Sequence, residues 1–311
     1  MVKRSRGSKV KRLAVTVLMG GPDAEREISI ASGTAVATAL NQTDKFEVDI
    51  QCIELPTAEE IANINADVVF PVLHGPFGEG GPLQSMLELE EIPFVGSSSK
   101  VSHDAMDKVI TKQIATQIEI QTPTWCVITE DEPCVIAPPL VLKPIDDGSS
   151  VDIVICYNDA QVASARNKLH QTRSSLLAEK YVSGREITVA IVDGTPLPII
   201  EIIPPSDLKT YDFAAKYERD DTEFIVNPRL PKNNCEKIAL QLYEAMGVRD
   251  IARVDFLMDA EGEWLLEINT MPGFTNHSLL PMAANHAGIE MTELCAGLVE
   301  AVSIRATSAG V

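Results

Sequence analysis

Two runs, Arg253-Val254-Asp255-Phe256 and Leu266-Glu267-Ile268-Asn269-Thr270-Met271-Pro272-Gly273-Phe274-Thr275, gather a guanidinium, two carboxylates and a carboxamide in one short stretch. Both read as strands of a β-hairpin. Side chains alternate along a strand, so Arg253 and Asp255 share one face of the first strand, and Glu267 and Asn269 one face of the second. Whether those faces coincide depends on the turn Asp259-Ala260-Glu261-Gly262-Glu263. A two-residue loop sets Asp255 against Leu266. A three-residue loop, with Gly262 as its left-handed residue, sets Asp255 against Glu267 and Arg253 against Asn269. Gly262 stands where the second loop needs it. Carboxylates opposed across a ladder repel each other, and a hard cation between them makes the arrangement favourable. Mg²⁺ wants oxygen ligands and often takes one or two carboxylates plus substrate phosphates. A solvated acidic hairpin is the competing reading; Arg253 and the Asn-Thr-Met-Pro-Gly tail favour a site.

Other segments carry weaker chemistry. Lys143-Pro144-Ile145-Asp146-Asp147-Gly148-Ser149-Ser150-Val151 is a strand ending in lysine, then a loop of small residues. Ser149, Ser150 and nearby N–H groups suit phosphate oxygens, with Lys143 as a point charge. The Walker order GxxxxGK[ST] is absent, and an ordinary polar turn is the alternative. Lys108, at the start of a helix, is disfavoured by the dipole unless it reaches an anion; a solvated surface lysine is the other reading. Glu179-Lys180-Tyr181-Val182 and Glu186 read as a strand and an interdomain connection able to bind an adenine edge and ribose hydroxyls. Tyr211-Asp212-Phe213-Ala214-Ala215-Lys216-Tyr217 is either a packed loop or a lid bringing Lys216 to a phosphate and Tyr217 to a substrate.

The elements that must position these groups read as follows. Leu13 to Met19 is a buried strand running into Gly20-Gly21. Asp23 caps a helix with an apolar stripe of Ile28, Ala31, Ala35 and Ala39. Strands Phe46 to Leu55, Ala66 to Leu73 and Pro93 to Gly96, with helix Leu83 to Glu91, imply a parallel, doubly wound sheet over residues 11–97. Helix Asp104 to Ile118, strands at Trp125 to Ile128, Leu140 to Ile145, Val151 to Cys156 and Leu176 to Val182, and helix Asp159 to Leu169 form a β-rich module over 98–182. Strands Glu186 to Val192 and Ile199 to Ile203, a polar loop, helix Lys232 to Met246, the hairpin, and helices from Ser278 and Met291 make a third unit over 183–311. The fold class is therefore α/β, in part α+β, in three domains.

The 311 residues are 45% hydrophobic and 5% aromatic, as in an ordinary α/β enzyme, and no apolar run is long enough to cross a bilayer. The net charge of −19 argues against nonspecific nucleic-acid binding. Residues 1–10 read as a disordered basic tail rather than a secretory signal. Six scattered cysteines without CxxC spacing fit buried thiols of a cytoplasmic protein.

In this order, several short motifs resemble the D-alanine–D-alanine ligases of the ATP-grasp superfamily. They are Gly20-Gly21-x-x-Ala24-Glu25-Arg26-Glu27-x-Ser29, His74-Gly75-Pro76-x-Gly78-Glu79, Met106-Asp107-Lys108, Gly148-Ser149-Ser150-Val151, Lys216-Tyr217, Arg253-Val254-Asp255 and Glu267 to Gly273. The resemblance runs from about Leu13 to Val302. It implies an ATP-grasp fold with ATP between the central and C-terminal domains. Lys108, Lys143, Ser150 and Lys216 would meet phosphates. Glu179, Lys180 and Val182 would form the adenine hinge, and Glu186 would take the ribose. Asp255, Glu267 and Asn269 would hold two Mg²⁺ or Mn²⁺ ions. Glu25 would bind the first D-alanine's ammonium and form a triad with Ser149 and Tyr217. Arg253 and the Gly273 N–H would stabilise an oxyanion, and Ser278 with Leu279 would receive the second D-alanine's carboxylate. His74 belongs to the same region. The activity implied is ATP-dependent joining of two D-alanines through an acyl phosphate for peptidoglycan precursors, in a cytoplasmic homodimer. Depsipeptide formation with D-lactate, a D-Ala–D-Ser ligase and a catalytically inert nucleotide sensor are the rivals. Tyr217 favours an amine acceptor.

Three positions depart from the family pattern. Gly78-Glu79-Gly80-Gly81 lacks one loop acid, Asp23 stands where serine is common, and Asp152 stands where glycine is usual. Aspartate there brings negative charge near a triphosphate, so ATP is expected to bind less tightly than to an Asp152→Gly variant.

Overall fold

The computed structural model describes residues 11–148, 152–205, 219, 221–230 and 233–309. Among the described residues there are three sheets. Strands β1 (Leu13–Gly20), β2 (Phe46–Ile53) and β3 (Val68–Pro71) form a parallel sheet in the order β2-β1-β3. The strand expected at Pro93 to Gly96 shrinks to a single parallel bridge, Val69 with Phe94. Helix α1 (Arg26–Asn41) covers one face and α2 (Ala58–Ala62) the other, with α3 (Gly75–Gly78) and α4 (Pro82–Leu89) beyond β3.

The stripe expected on α1 is rotated. Its buried positions are Ser29, Ser32, Gly33, Val36, Ala37, Ala39 and Leu40, whereas Ala31 is exposed. Two serines hide because the fold gives their hydroxyls partners. Ser29 Oγ accepts from Gly20 N at 2.8 Å and donates to the Val72 carbonyl. Ser32 Oγ accepts from Phe274 N at 3.1 Å. Asp23 does not cap α1 with its side chain; its Oδ2 accepts from Phe77 N at 3.0 Å, and Glu25 occupies the cap position.

The expected helix from Asp104 to Ile118 is two. Helix α5 (Ser99–Met106), capped by Ser98, ends at Asp107, whose backbone is extended. Asp107 Oδ1 then accepts from Val109 N and Ile110 N, starting α6 (Lys108–Gln117). A short acceptor side chain offering these bonds competes with continued helix. As a result, Lys108 becomes the first residue of a new helix.

The second sheet is antiparallel, ordered β4 (Trp125–Thr129), β7 (Ser175–Lys180), β5 (Leu140–Lys143), β6 (Val154–Cys156), and packs on α7 (Asp159–Leu169). Strand β6 begins later than expected because Asp152 has φ +57°, outside the extended region. The third sheet is antiparallel and ordered β11 (Glu223–Val226), β10 (Ile200–Ile203), β8 (Arg185–Val192), β12 (Ile251–Met258), β13 (Glu263–Asn269), with β9 (Thr195–Pro196) on β8. Helix α8 (Cys235–Met246) covers one of its faces. Helices α9 (Leu279–His286) and α10 (Met291–Ala309) complete the chain. Their Leu280, Ala284, Val299 and Val302 share a core with Val15, Val36 and Phe70, so the last helices also cover the parallel sheet.

All six cysteines are free; Cys156, Cys235 and Cys295 are buried, and Cys52 is exposed. Among the described residues no helix is long and apolar enough to cross a membrane.

Candidate active site

The hairpin pairs Arg253 with Asn269 and Asp255 with Glu267, as the sequence allows, but by a different device. Its strands meet at Met258 and Glu263 around a four-residue loop, and Gly262 has φ +142°, not a left-handed helical value. Asp259 Oδ1 holds this loop, accepting from Glu261 N and Gly262 N. A register shift after Asp255 pairs Phe256 with Leu265, leaving Leu266 as the extra residue. The bulge restores equal parity and brings the four polar side chains to one face.

Strand β12 lies inside its sheet, between β8 and β13, so Asp255 is flanked by Thr188 and Glu267. Thr188 Oγ1 donates to Asp255 Oδ1 at 2.6 Å. Arg253 grips the same carboxylate with two bonds, Nε to Oδ1 at 3.0 Å and Nη2 to Oδ2 at 2.8 Å. Asp255 is 7% exposed, yet both its oxygens have partners, as a buried carboxylate requires. Asn269 Oδ1 accepts from Met271 N at 2.8 Å and so starts the turn into Pro272-Gly273.

This face opens on a cavity of about 370 Å³. Its walls come from every part of the chain: Glu25 and His74 from the first unit, Lys108 and Gly148 from the second, Arg253 and Glu267 from the third. Asn269, Gly273, Ser278 and Leu279 also line it, whereas Asp255 lies behind Arg253 and does not. Ile28 and Ala31, expected to face the core, line the cavity instead.

Lys108 is 6% exposed, which overturns the solvated reading. Its ammonium donates to the Asp147 carbonyl at 2.6 Å and stands 3.4 Å from Glu267 Oε2. A Cβ placed on Gly148 would lie 3.5 Å from Glu25 Oε2, so the backbone at Gly148 passes close against Glu25. Ser149, Ser150, Lys216 and Tyr217 lie outside the described residues.

His74 Nδ1 faces the Met271 carbonyl at 3.1 Å, and its Nε2 is buried without a partner among the described residues. Burial lowers the imidazole's pKa, partly opposed by the charge of Glu25. A neutral ring with Nδ1–H on the carbonyl leaves Nε2 as an acceptor.

Lys143 and Glu179 meet in the interior. Lys143 Nζ is 2.5 Å from Glu179 Oε2, and a second lysine, Lys112, contacts Oε1. Burial raises the Glu179 pKa, but the two ammonium groups outweigh this and hold it below its ordinary value. Burial lowers Lys112 to about 8, with Glu179 acting against the fall. Lys180 is exposed, and its Nζ reaches the Ala137 carbonyl at 3.3 Å; Val182 and Glu186 are half-buried along the same connection. Ser278 caps α9 without a side-chain bond into the helix; its Oγ accepts from Thr275 N at 3.0 Å.

Sequence reasoning missed Glu79, Asp147 and Lys112. Glu79 lines the cavity 6% exposed, its Oε1 accepting from Gly75 N and its Oε2 without a partner among the described residues. Burial first, then the charge of Glu25, pushes its pKa well above the usual carboxylate range. The signal was its place in the His74 to Glu79 motif. Asp147 had none beyond adjacency to Gly148, and Lys112 reads as any helix-surface lysine.

Oxygen donors, paired cations and a helix N-terminus in one cavity suit a substrate carrying phosphates and carboxylates. Residues 54–97 match the family described as D-ala D-ala ligase N-terminus, and residues 116–300 the D-ala D-ala ligase C-terminus. The chain is 37% identical over 297 residues to the D-alanine–D-alanine ligase of Syntrophotalea carbinolica, covering 94% of this chain and 96% of that one. It is 39% identical over 308 residues to that of Bordetella avium, covering 94% and 95%. Among solved structures, the D-alanine–D-alanine ligase of Bacillus anthracis complexed with ATP superposes with a TM-score of 0.81 at 32% identity, covering 97% of this chain and all of that one. The fold is accordingly the ATP-grasp architecture, and the chain belongs to the D-alanine–D-alanine ligase family of enzymes.

Proposed function

We propose that this enzyme joins two D-alanine molecules at the expense of ATP, through an acyl phosphate, and so supplies a precursor of peptidoglycan. One observation supports the reading above others: Glu25, Lys108, Arg253, Glu267 and Ser278, from distant parts of the chain, line a single cavity. The same family's ATP complex from Bacillus anthracis supports the choice of nucleotide.

A free carboxylate is a poor electrophile. In the proposed sequence an oxygen of the first D-alanine's carboxylate attacks the γ-phosphorus of ATP and ADP leaves. The second D-alanine's amine then attacks the acyl carbon, loses a proton, and expels inorganic phosphate, which keeps the attacking oxygen. Phosphoryl transfer needs positioning and charge neutralisation more than covalent help. Lys108 supplies positive charge from a buried position, and Lys143 does so once a triphosphate competes with Glu179 for it. Glu25 holds the first ammonium, with Ser149 and Tyr217 as its partners. His74 and Glu79 orient the same substrate. Lys180, Val182 and Glu186 hold the adenosine. Arg253 and the Gly273 N–H face the oxyanion formed when the amine adds. The N-terminus of α9, at Ser278 and Leu279, receives the second carboxylate.

Glu267 and Asn269 line the cavity with side-chain oxygens, and Asp255 backs them with a carboxylate bonded to Arg253 and Thr188, oxygen donors of the kind a hard divalent ion takes. Two Mg²⁺ or Mn²⁺ ions held there would neutralise the terminal phosphates.

The test is phosphate release from ATP and Mg²⁺ with a panel of D-alanine, D-serine and D-lactate. The reading expects D-alanine-dependent release and a D-alanyl-D-alanine product. Release only with D-lactate or D-serine as acceptor would replace the second substrate. ATP binding without release would replace the enzyme by a sensor.

A further inference from the structure

Arg173, on the connection between α7 and β7, spans the two flanks of the 148–151 segment. Its Nη2 donates to Asp147 Oδ2 at 2.6 Å and its Nη1 to Asp152 Oδ2 at 2.8 Å. All three side chains are only 21–30% exposed. Arg173 is itself anchored: its N donates to the Leu169 carbonyl at 3.2 Å, and its carbonyl faces His170 Nδ1 at 2.9 Å. Asp152 sits at φ +57°, a left-handed conformation that glycine adopts freely and aspartate better than most residues. Aspartate therefore fits the backbone where glycine is usual, and it adds a carboxylate that Arg173 bonds. Lys168 lies 4.0 Å from Asp152 Oδ1 but is 73% exposed, so Arg173 is the main partner. On the inner side, the carbonyl of Asp147 accepts from Lys108, which in turn stands beside Glu267. The chain Asp152–Arg173–Asp147–Lys108–Glu267 thus runs from the surface to the hairpin.

We propose that Arg173 is a positioning residue for nucleotide binding, clipping Asp147 to Asp152 so that both flanks of the 148–151 segment and the Lys108 ammonium are held in register for a triphosphate. The proposal rests on the ATP reading above. It also reverses the effect expected for Asp152. The aspartate charge is taken up by Arg173 rather than turned on the phosphates, so Asp152→Gly loosens ATP binding instead of tightening it. A planar guanidinium can serve two carboxylates at once, whereas an ammonium on a flexible stem serves them less well.

The experiment compares the full chain with Arg173→Gln, Arg173→Lys, Asp152→Gly and the double variant Arg173→Gln/Asp152→Gly. It measures the Kd for ATP with Mg²⁺ by titration, and KM for ATP and kcat by phosphate release at saturating D-alanine. Arg173→Gln is expected to raise Kd and KM about tenfold, the equivalent of about 1.4 kcal/mol, with kcat within about threefold. Asp152→Gly is expected to raise them roughly three- to fivefold, as loss of one partly exposed pair would. The double variant matches Arg173→Gln, because the two residues act through one contact, and Arg173→Lys falls between. ATP affinity within about twofold of wild type in both Arg173→Gln and Asp152→Gly, or tighter binding by Asp152→Gly, overturns the clip. Should Arg173→Gln fail to fold, Asp152→Gly alone decides, since it removes one arm only. A wild-type chain with no affinity for ATP would instead overturn the ATP reading and the clip's purpose with it.

Discussion

Gly273→Ala tests how the turn after the hairpin shapes the second-substrate end of the cavity. A methyl group there would sit 2.7 Å from Ser278 Oγ, whereas ordinary contact begins at 3.4 Å. The hydroxyl must therefore retreat by about 0.7 Å. It stands 3.0 Å from Thr275 N and 2.8 Å from Thr275 Oγ1, so a retreat of that size away from Thr275 takes the N–H bond out of range. One lost hydrogen bond costs about 1 kcal/mol, and overpacking adds about 1–3 kcal/mol. Ser278 begins the helix proposed to receive the second D-alanine's carboxylate. Misplacing those donors should raise the KM of the second D-alanine roughly ten- to a hundredfold, the range of a charge-assisted bond. ATP affinity should stay within about twofold, since the hairpin carboxylates are untouched. The assay is phosphate release against D-alanine concentration at saturating ATP, with thermal unfolding in parallel. Gly297→Ala is the control: the glycine is exposed on α10 with nothing within 4 Å of a new Cβ, and this change should raise stability by about 0.5–1 kcal/mol without kinetic effect. Unchanged D-alanine saturation in Gly273→Ala, beside a measurable stability loss, would refute the assignment of this turn to the second substrate.

Two further variants probe the centre of the site. Arg253→Met removes the fork on Asp255 and the proposed oxyanion donor, and should lower kcat roughly a hundredfold or more; a loss confined to KM for ATP would show that Arg253 only orders the carboxylates. Burial, and then the charge of Glu25, push the Glu79 pKa well above the usual carboxylate range. The folded state therefore keeps a proton that the unfolded state releases near pH 4.5. Its contribution is fully present below that pH and is lost as pH rises through the raised native value. Glu79→Gln lacks this loss, so its melting temperature relative to wild type should climb as pH rises above the unfolded value of 4.5; a difference that stays constant with rising pH would mean that the fold does not raise this carboxyl's pKa.

Much of the site was legible in the sequence because its chemistry is local. Parity along two strands put Arg253 with Asp255 and Glu267 with Asn269, and the structure places all four on one face. The route to that pairing was not legible: a bulge at Leu266 does the work assigned to the turn, and a bulge leaves no residue-type signature here. Helix α1 was misread for a physical reason. Apolar patterning overlooks buried serines, and Ser29 and Ser32 are buried only because distant backbone groups at Gly20, Val72 and Phe274 bond them. Asp107 interrupts what periodicity reads as one helix, since a side chain can replace helical bonds at little cost. Lys112 was invisible because a lysine amid polar helix residues reads as solvated. Only the approach of β7 places Glu179 over it. The basin of charge around Glu179, like the Arg173 clip, is a property of tertiary contacts between residues tens of positions apart.

The fate of one oxygen atom tests the proposed chemistry most directly. D-alanine labelled with ¹⁸O in both carboxylate oxygens is turned over with unlabelled ATP, and the released phosphate is weighed by mass spectrometry. Attack of the carboxylate on the γ-phosphorus, followed by acyl–oxygen cleavage, predicts one ¹⁸O in each inorganic phosphate and one fewer in the new amide carbonyl. Unlabelled phosphate, or label carried into AMP, would contradict it.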